Sequence, residues 1–285
     1  MYQPSDRVRG HIEEGISFLK WLLYACSIGA LVGVVGVAFY YGIDWATQLR
    51  GEVPRVVWLL PAGGVSIVLI YRICHMERDR GTNLVLVAVR EAEPMRLRTA
   101  PLIFLATITT HLVGGSAGRE GAALQLGGSL GAWLGRLIRL DAKDRRVMVM
   151  CGMSAAFAAL FGTPLTAMLF SMEVVSVGVM YYAALVPCTV SALTAFQVAQ
   201  AMGLHQTPGY AIGLPAALSP LTMVQAAALG LLCALVSILF CQAMHTAPKV
   251  YARFLRCSGR RREGRWCWSS PCWWAVRTTT GRGTR

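Results

Sequence analysis

The chain has 285 residues, of which 55% are hydrophobic and 14% charged, and its mean hydropathy of +0.51 exceeds that of an ordinary soluble domain. This composition excludes a soluble globular protein and predicts an integral membrane protein. The net charge of +13 is concentrated in connections such as 72–98 and 136–146, as the positive-inside rule predicts for cytoplasmic loops. Because no soluble segment carries a basic stripe interleaved with aromatic residues, nucleic acid is not an expected partner.

The N-terminal segment 1–14 is polar, carries charges of both signs and is expected to be cytoplasmic. The apolar stretch after it is too long for the core of a signal peptide, so it predicts a retained helix. Residues 15–255 are expected to form an all-α transmembrane domain in the cell membrane. Several apolar segments fall short of the roughly 20 residues of a simple span, which predicts tilted, broken and re-entrant helices. The segments are 21–41, 56–71, 102–113, 122–138, 147–170, 182–202 and 221–244.

Cysteines are scattered singly along the chain, and most lie in or beside apolar segments, where cysteine behaves as a small hydrophobe. Their spacing predicts neither a disulfide framework nor a metal site, and no cofactor is expected. The six cysteines of the apolar segments are Cys26, Cys74, Cys151, Cys188, Cys233 and Cys241.

Residues 256–285 differ in composition from the rest, with eight arginines and four of the eight tryptophans of the protein. A disordered basic tail is one interpretation, although disordered segments are usually poor in aromatic residues. A translational frameshift in a GC-rich gene is the favoured alternative, because Arg, Trp, Cys, Gly and Pro are what such genes encode out of frame. Zinc binding by Cys257, Cys267 and Cys272 is disfavoured, since they form no CxxC pair.

Two predicted helices begin at glycines inside the hydrophobic region. Gly81 precedes the short apolar segment 84–89, and the run 118–121 precedes 122–138. A helix start leaves backbone N–H groups without partners and carries a partial positive charge. In a membrane such a start is tolerated where it lines a protected cavity or binds a ligand, and glycine lets the backbone approach that ligand closely. The pattern predicts an anion site built from broken helices.

The charged pair Arg119-Glu120 lies between glycines at one of these helix starts. An ionisable residue at membrane depth marks an ion path or a proton relay by default. Glu120 and a permeating anion would compete for the same amides, and protonation would release the carboxylate, so one glutamate could both gate anions and carry protons. The alternative is a loop at the membrane surface with local contacts only. The sequence indicates no partner for Arg119.

Three motifs resemble those of the CLC chloride channels and anion/proton exchangers, over roughly residues 15–250. GREGAALQLGG (118–128) is similar to the GREGP-type signature of that family, with Ala122 at the usual proline. CGMSAAFAALFGTPLTAMLFSMEV (151–174) is similar to its segment of small residues, a proline-containing break and an apolar helix that ends in an acid. GTNLV (81–85) stands in the place of its GSGIP. The resemblance implies inverted repeats, two per subunit, and a homodimer in which each subunit has its own pore.

By this resemblance Glu120 matches the gating glutamate, and Thr82 takes the place of the anion-coordinating serine. The second proton glutamate of many chloride exchangers is absent, since Val174 follows Glu173. This absence, the missing proline and the altered GSGIP resemble the bacterial branch that exchanges fluoride for protons, so fluoride is favoured over chloride. The resemblance implies an anion site of Gly81, Thr82, Asn83, Gly118, Arg119, Gly121 and Ala122.

Elements of the second repeat are not found after Met202, so the first repeat is expected to be largely present and the second incomplete. On this interpretation the chain is truncated or frameshifted and is expected to transport little alone. A membrane scaffold or assembly subunit without its own ion path is the alternative function. An enzyme using Ser116, His111 and Glu120 is disfavoured, because GGSAG lacks the strand-to-helix context of a nucleophile elbow.

Overall fold

A computed structural model describes residues 4–76, 82–91, 95–174, 180–204 and 219–258, with side chains from residue 15 onward except 82–83, 91, 248–249 and 251–258. Every regular element in these ranges is helical. The α-helices are α1 (Pro4–Glu52), α2 (Leu60–Ile73), α3 (Thr82–Glu91), α4 (Thr99–Leu112), α5 (Glu120–Leu137), α6 (Ala142–Phe161), α7 (Pro164–Glu173), α8 (Leu185–Ala201) and α9 (Pro220–Ser258), and 3-10 helices span Pro54–Leu59 and Tyr182–Ala184.

The chain divides into two units, Met1–Thr207 with α1 to α8 and Pro208–Arg285 with α9. Within the described residues, four helical stretches are long and apolar enough to cross a membrane, which confirms the prediction of a membrane protein. They are Gly15–Glu52, Pro54–Ile73, Tyr182–Ala201 and Pro220–Ala247.

The apolar segment 147–170 is two helices rather than one, as the proline-containing break predicts. Gly162 ends α6 in the left-handed conformation, with φ of 68°, and its N–H donates to the carbonyl of Ala158 at 3.0 Å. Pro164 opens α7 at a position where a missing N–H is tolerated. At the other end of α6, the Asp141 carboxylate accepts from the N–H of Asp144 at 2.7 Å. Both ends of α6 are therefore fixed by local chemistry.

Glycine brings α5 and α6 into close contact in the interior of the first unit. A Cβ atom on Gly127 would overlap the carbonyl oxygen of Gly152, and one on Gly131 would overlap that of Met148. Residues without bulky side chains let helix backbones approach one another, and this close packing drives helix association in membranes. The glycines of α5 thus fix its position against α6.

Buried serines connect α6 to α8. The hydroxyl of Ser154 donates to the carbonyl of Cys188 at 3.1 Å, and that of Ser191 donates back to the carbonyl of Cys151 at 2.9 Å. Both serines are fully buried. The two hydrogen bonds hold α8 against α6 at positions that are buried inside the protein.

Candidate functional site

The start of α5 presents backbone N–H groups that the helix itself does not use. Glu120 is the first residue of the helix, and a backbone hydrogen bond runs from the N–H of Ala123 to the carbonyl of Arg119 at 2.9 Å. The N–H groups of Glu120, Gly121 and Ala122 precede that bond, and no side chain caps this helix start within the described part of the chain. These amides and the helix dipole make the start of α5 attractive to a negative charge.

Glu120 holds its carboxylate back over the loop that precedes the helix. A Cβ atom on Gly118 would lie 2.5 Å from Oε2 of Glu120, so the carboxylate occupies the space that the missing side chain leaves. The side chain of Glu120 is exposed, whereas Ala122 is buried two residues later. The carboxylate therefore lies outside the packed interior in which α5 continues.

Arg119 has aromatic partners that the sequence did not indicate. Its guanidinium carbon lies 5.3 Å from the centre of the Phe161 ring, at the end of α6, and 6.0 Å from the centre of the Tyr40 ring in α1. A guanidinium over aromatic faces gains cation–π attraction while keeping its charge. Arg119 thus fixes the start of α5 against two other helices.

The ring of Phe161 continues into an aromatic stack that reaches α7. Phe157 lies 5.0 Å from Phe161 and 4.8 Å from Phe170, measured between ring centroids, with the second pair nearly parallel at 24°. Such pairs add specific attraction to the burial of the rings. The start of α5 is consequently connected, through Arg119 and the ring of Phe161, to the aromatic residues around the α6–α7 break.

Two polar side chains inside α5 also escaped the sequence analysis. Gln125 and Ser129 are 4% and 0% exposed, and neither Oε1 of Gln125 nor Oγ of Ser129 has a hydrogen-bond partner within the described residues. Gln125 lies in the GREGAALQLGG motif and Ser129 follows it directly. Their burial is what makes them unusual, and the sequence alone does not predict it. Buried polar atoms without partners are rare in folded proteins.

The second predicted part of the anion site is only partly described. Gly81 lies outside the described residues, and Thr82 and Asn83 are the first residues of α3, without described side chains. Later in α3, Val85 packs against Gly128 of α5. A Cβ atom on Gly128 would lie only 2.8 Å from Cγ1 of Val85. The structure therefore brings α3 and α5 together, while the predicted roles of Gly81, Thr82 and Asn83 stay predictions.

The carboxylate of Glu173 is exposed at the last residue of α7, with Val174 after it.

The disfavoured catalytic set of Ser116, His111 and Glu120 gains no support from the geometry. Nδ1 of His111 lies 2.8 Å from the carbonyl oxygen of Thr107, and no hydrogen bond joins His111 to the exposed Ser116 in the ranges described.

Comparison with known proteins agrees with this architecture. The voltage gated chloride channel family matches residues 62–266. A protein of Pseudomonas syringae pv. tomato named chloride/fluoride channel protein is 38% identical over 243 residues, which cover 85% of this chain and 54% of the relative. The H(+)/Cl(-) exchange transporter ClcA of Cronobacter sakazakii is 31% identical over 194 residues, which cover 60% of this chain and 42% of the relative. The chain thus spans about half the length of these curated relatives.

Solved structures extend the likeness to three dimensions. The crystal structure of a CLC-type fluoride/proton antiporter superposes with a TM-score of 0.77 at 30% identity, covering 84% of this chain and 60% of that one. A slow cyanobacterial Cl-/H+ antiporter superposes with a TM-score of 0.65 at 20% identity, which supports the fold alone, over 82% of this chain and 58% of that one. The family match, the relatives and the fold agree: the chain belongs to the voltage gated chloride channel (CLC) family, a family of membrane anion transporters and channels rather than of enzymes.

Proposed function

We propose that this protein moves fluoride, in preference to chloride, across the cell membrane in exchange for protons, with Glu120 as both gate and proton carrier. The observation that carries the proposal is the uncapped start of α5, where the amides of Gly121 and Ala122 adjoin an exposed carboxylate. An anion site of this kind needs no metal or cofactor, because backbone N–H groups and the helix dipole supply the attraction. Gly118 and Arg119 shape the loop, and Gly81, Thr82 and Asn83 complete the site.

Competition for the amides explains how one carboxylate could couple the two ions. The ionised Glu120 and a halide carry the same charge and seek the same N–H donors, so they exclude one another. Protonation cancels the charge of the carboxylate, and the side chain leaves the amides to the anion. Loss of the proton on the other side of the barrier restores the competition. Each cycle therefore moves an anion one way and a proton the other.

Fluoride is preferred on two grounds. The relatives include a protein named for chloride and fluoride and a structure of a fluoride/proton antiporter. Val174 stands where many chloride exchangers carry a second acid. The chain spans about half the length of its curated relatives. We therefore propose this exchange for the whole protein, inserted in a bilayer.

The decisive experiment reconstitutes that protein into liposomes and records fluoride release with an electrode and proton uptake with a pH indicator. Glu120→Gln removes the charge that exchanges with the anion, and we expect coupled transport to fall by about 100-fold, the scale of a lost proton-transfer group. Glu52→Gln, which changes an exposed carboxylate at the end of α1, is the matched control and should retain transport. Unchanged exchange in Glu120→Gln would contradict the proposal.

We also propose that α1 to α8 form the first of two inverted repeats and that the protein assembles as a homodimer. The division of the chain between Thr207 and Pro208 supports the repeat boundary, and the family resemblance supports the dimer. Single-molecule photobleaching of fluorescently labelled protein in bilayers tests the assembly. Two bleaching steps per particle are expected, and a single step throughout would contradict the dimer.

A further inference from the structure

The turn between α5 and α6 carries an unbalanced positive charge. Residues 136–146, the basic turn, contain five cations and two acids, which gives a net charge of +3. None of the five cations forms an ion pair with a carboxylate among the described residues. The basic turn can therefore attract an anion from outside the described part of the chain. The cations are Arg136, Arg139, Lys143, Arg145 and Arg146.

The acids of the basic turn do not balance its cations. The carboxylate of Asp141 accepts from the N–H of Asp144 at 2.7 Å and so caps α6, and Asp144 is half-buried. Arg145 contacts backbone rather than an acid, because its Nε donates to the carbonyl of Asp141 at 3.4 Å. The stem of Arg145 lies against α5, where a Cβ atom on Gly135 would lie 3.2 Å from its Cγ. Most of the N–H donors of this guanidinium are left for a ligand.

Arg139 occupies a backbone position that favours glycine. It follows α5 in the left-handed conformation, with φ of 56°, and the N–H of Leu140 donates to the carbonyl of Gly135 at 2.9 Å. A helix that ends in this way usually has glycine here, because a side chain in the left-handed conformation costs free energy. The side chain of Arg139 is exposed and makes no hydrogen bond within the described residues. Its charge, rather than packing, is what the arginine contributes.

An apolar surface adjoins these cations on α5. Leu137 is 62% exposed, and Trp133, one turn earlier on the same face, is half-buried. Four of the five cations are arginines, whose planar guanidinium matches the oxygens of a phosphate group in pairs. A ligand with a phosphate head and an apolar tail fits both parts of this surface. Free phosphate would use only the cations.

We propose that the basic turn binds the headgroup of an anionic phospholipid, with Arg136, Arg139 and Arg145 at the phosphate and the acyl chains against Leu137 and Trp133. The negative surface of a membrane attracts basic segments beside it, and each cation raises the affinity by about fivefold. A zwitterionic lipid gains less, because the ammonium group of its headgroup repels the same cations. The basic turn lies at the opposite end of α5 from Glu120, so this lipid site is separate from the proposed transport site.

Native mass spectrometry of the whole protein in detergent tests the proposal by counting bound lipids. Phosphatidylglycerol should bind in preference to phosphatidylcholine with the same acyl chains. Arg136→Gln with Arg139→Gln should lower the affinity for phosphatidylglycerol by about 25-fold, or about fivefold for each cation. Lys20→Gln with Arg55→Gln removes two exposed cations outside the basic turn and should retain the affinity.

Three outcomes of this measurement overturn the lipid site. The first is equal binding of phosphatidylglycerol and phosphatidylcholine. The second is an equal loss of affinity in the two double variants, which would mean that the net charge of the protein, rather than the basic turn, attracts the lipid. The third is displacement of phosphatidylglycerol by inorganic phosphate but not by chloride at the same ionic strength, which would mean that the cations recognise free phosphate.

A pair of glycine variants separates lipid binding from a merely structural role of Arg139. His75 ends α2 with φ of 57°, and the N–H of Met76 donates to the carbonyl of Tyr71 at 2.9 Å, so its backbone matches that of Arg139. Arg139→Gly and His75→Gly both relieve a left-handed side chain and should raise the melting temperature in lipid-free detergent. Only Arg139→Gly should also lower the affinity for phosphatidylglycerol, by about fivefold. Unchanged affinity in Arg139→Gly would overturn the proposal, and neither readout depends on ion transport.

Discussion

The helices α2 and α5 show opposite relations between hydropathy and burial. The apolar stretch Pro54–Ile73, which includes α2, is long enough to span a membrane, but its most hydrophobic window is only 6% buried. By contrast, α5 is interrupted by glycines and polar residues and is not among the four candidate spans of the described chain, although 12 of its 18 residues are buried. In this protein the more polar helix forms the interior.

The difference follows from the solvent. Lipid tails are as apolar as leucine, so a membrane protein gains little from burying apolar side chains against one another. Helices associate in a bilayer through close packing and hydrogen bonds, which favour small residues and hydroxyls. Close packing here comes from Gly127, Gly131 and Gly152. The hydrogen bonds between helices come from Ser154 and Ser191. The contact of α5 with α6 is therefore specified by glycines, whose missing Cβ atoms let the two backbones meet.

The largest expected effect comes from filling the glycine contact. Gly152→Leu would force a side chain into the carbonyl of Gly127, and we expect a loss of about 3 kcal/mol in the free energy of unfolding. Gly64→Leu is the matched control in α2, where a Cβ atom would meet nothing within 4 Å. Thermal melting of both variants in the same detergent measures the difference.

Equal melting temperatures for these two variants would contradict the contrast drawn between the exposed α2 and the buried helices. It would mean that α5 and α6 can separate without loss, so that the start of α5 would not be held in place. A drop for Gly152→Leu alone would show that the glycine contact supports the site. The control also corrects for the higher helix propensity that leucine brings to either helix.

The sequence predicted those parts of the site that depend on local chemistry. Glycines indicated a helix start near Glu120, and the resemblance of 151–174 implied a proline-containing break, which the structure has at Gly162 and Pro164 between α6 and α7. The rings that receive Arg119 could not be predicted, because Tyr40 and Phe161 are far from it in sequence and meet it only through tertiary packing. The choice of partner by a buried hydroxyl is likewise set by its surroundings.

A smaller effect is expected from the hydrogen bonds between helices. Ser191→Ala removes the bond from α8 to the carbonyl of Cys151, and we expect a loss of about 0.6 kcal/mol and at most about 1.7 kcal/mol, the average and the maximum measured for hydrogen bonds between membrane helices. Ser66→Ala in α2 is the control, since its hydroxyl bonds to the carbonyl of Gly63 within the same helix. Chemical unfolding in mixed micelles compares the two. A larger loss in Ser66→Ala would reverse the assignment of interior and exterior helices.

The smallest effect is expected at Arg119, whose half-buried side chain lies over two aromatic rings at the start of α5. Arg119→Lys keeps the charge but loses the planar group that lies over Phe161 and Tyr40, and we expect a loss of about 0.5 to 1 kcal/mol. Phe161→Leu removes one of the two rings and should also lower the melting temperature, because the guanidinium loses that contact. Trp58→Leu is the control: it changes an aromatic residue that is 87% exposed and should leave the melting temperature unchanged. If Arg119→Lys melts like the wild type, the rings do not hold the loop. A loss in both Arg119→Lys and Phe161→Leu would mean that aromatic faces, rather than an opposite charge, hold this cation beside Glu120.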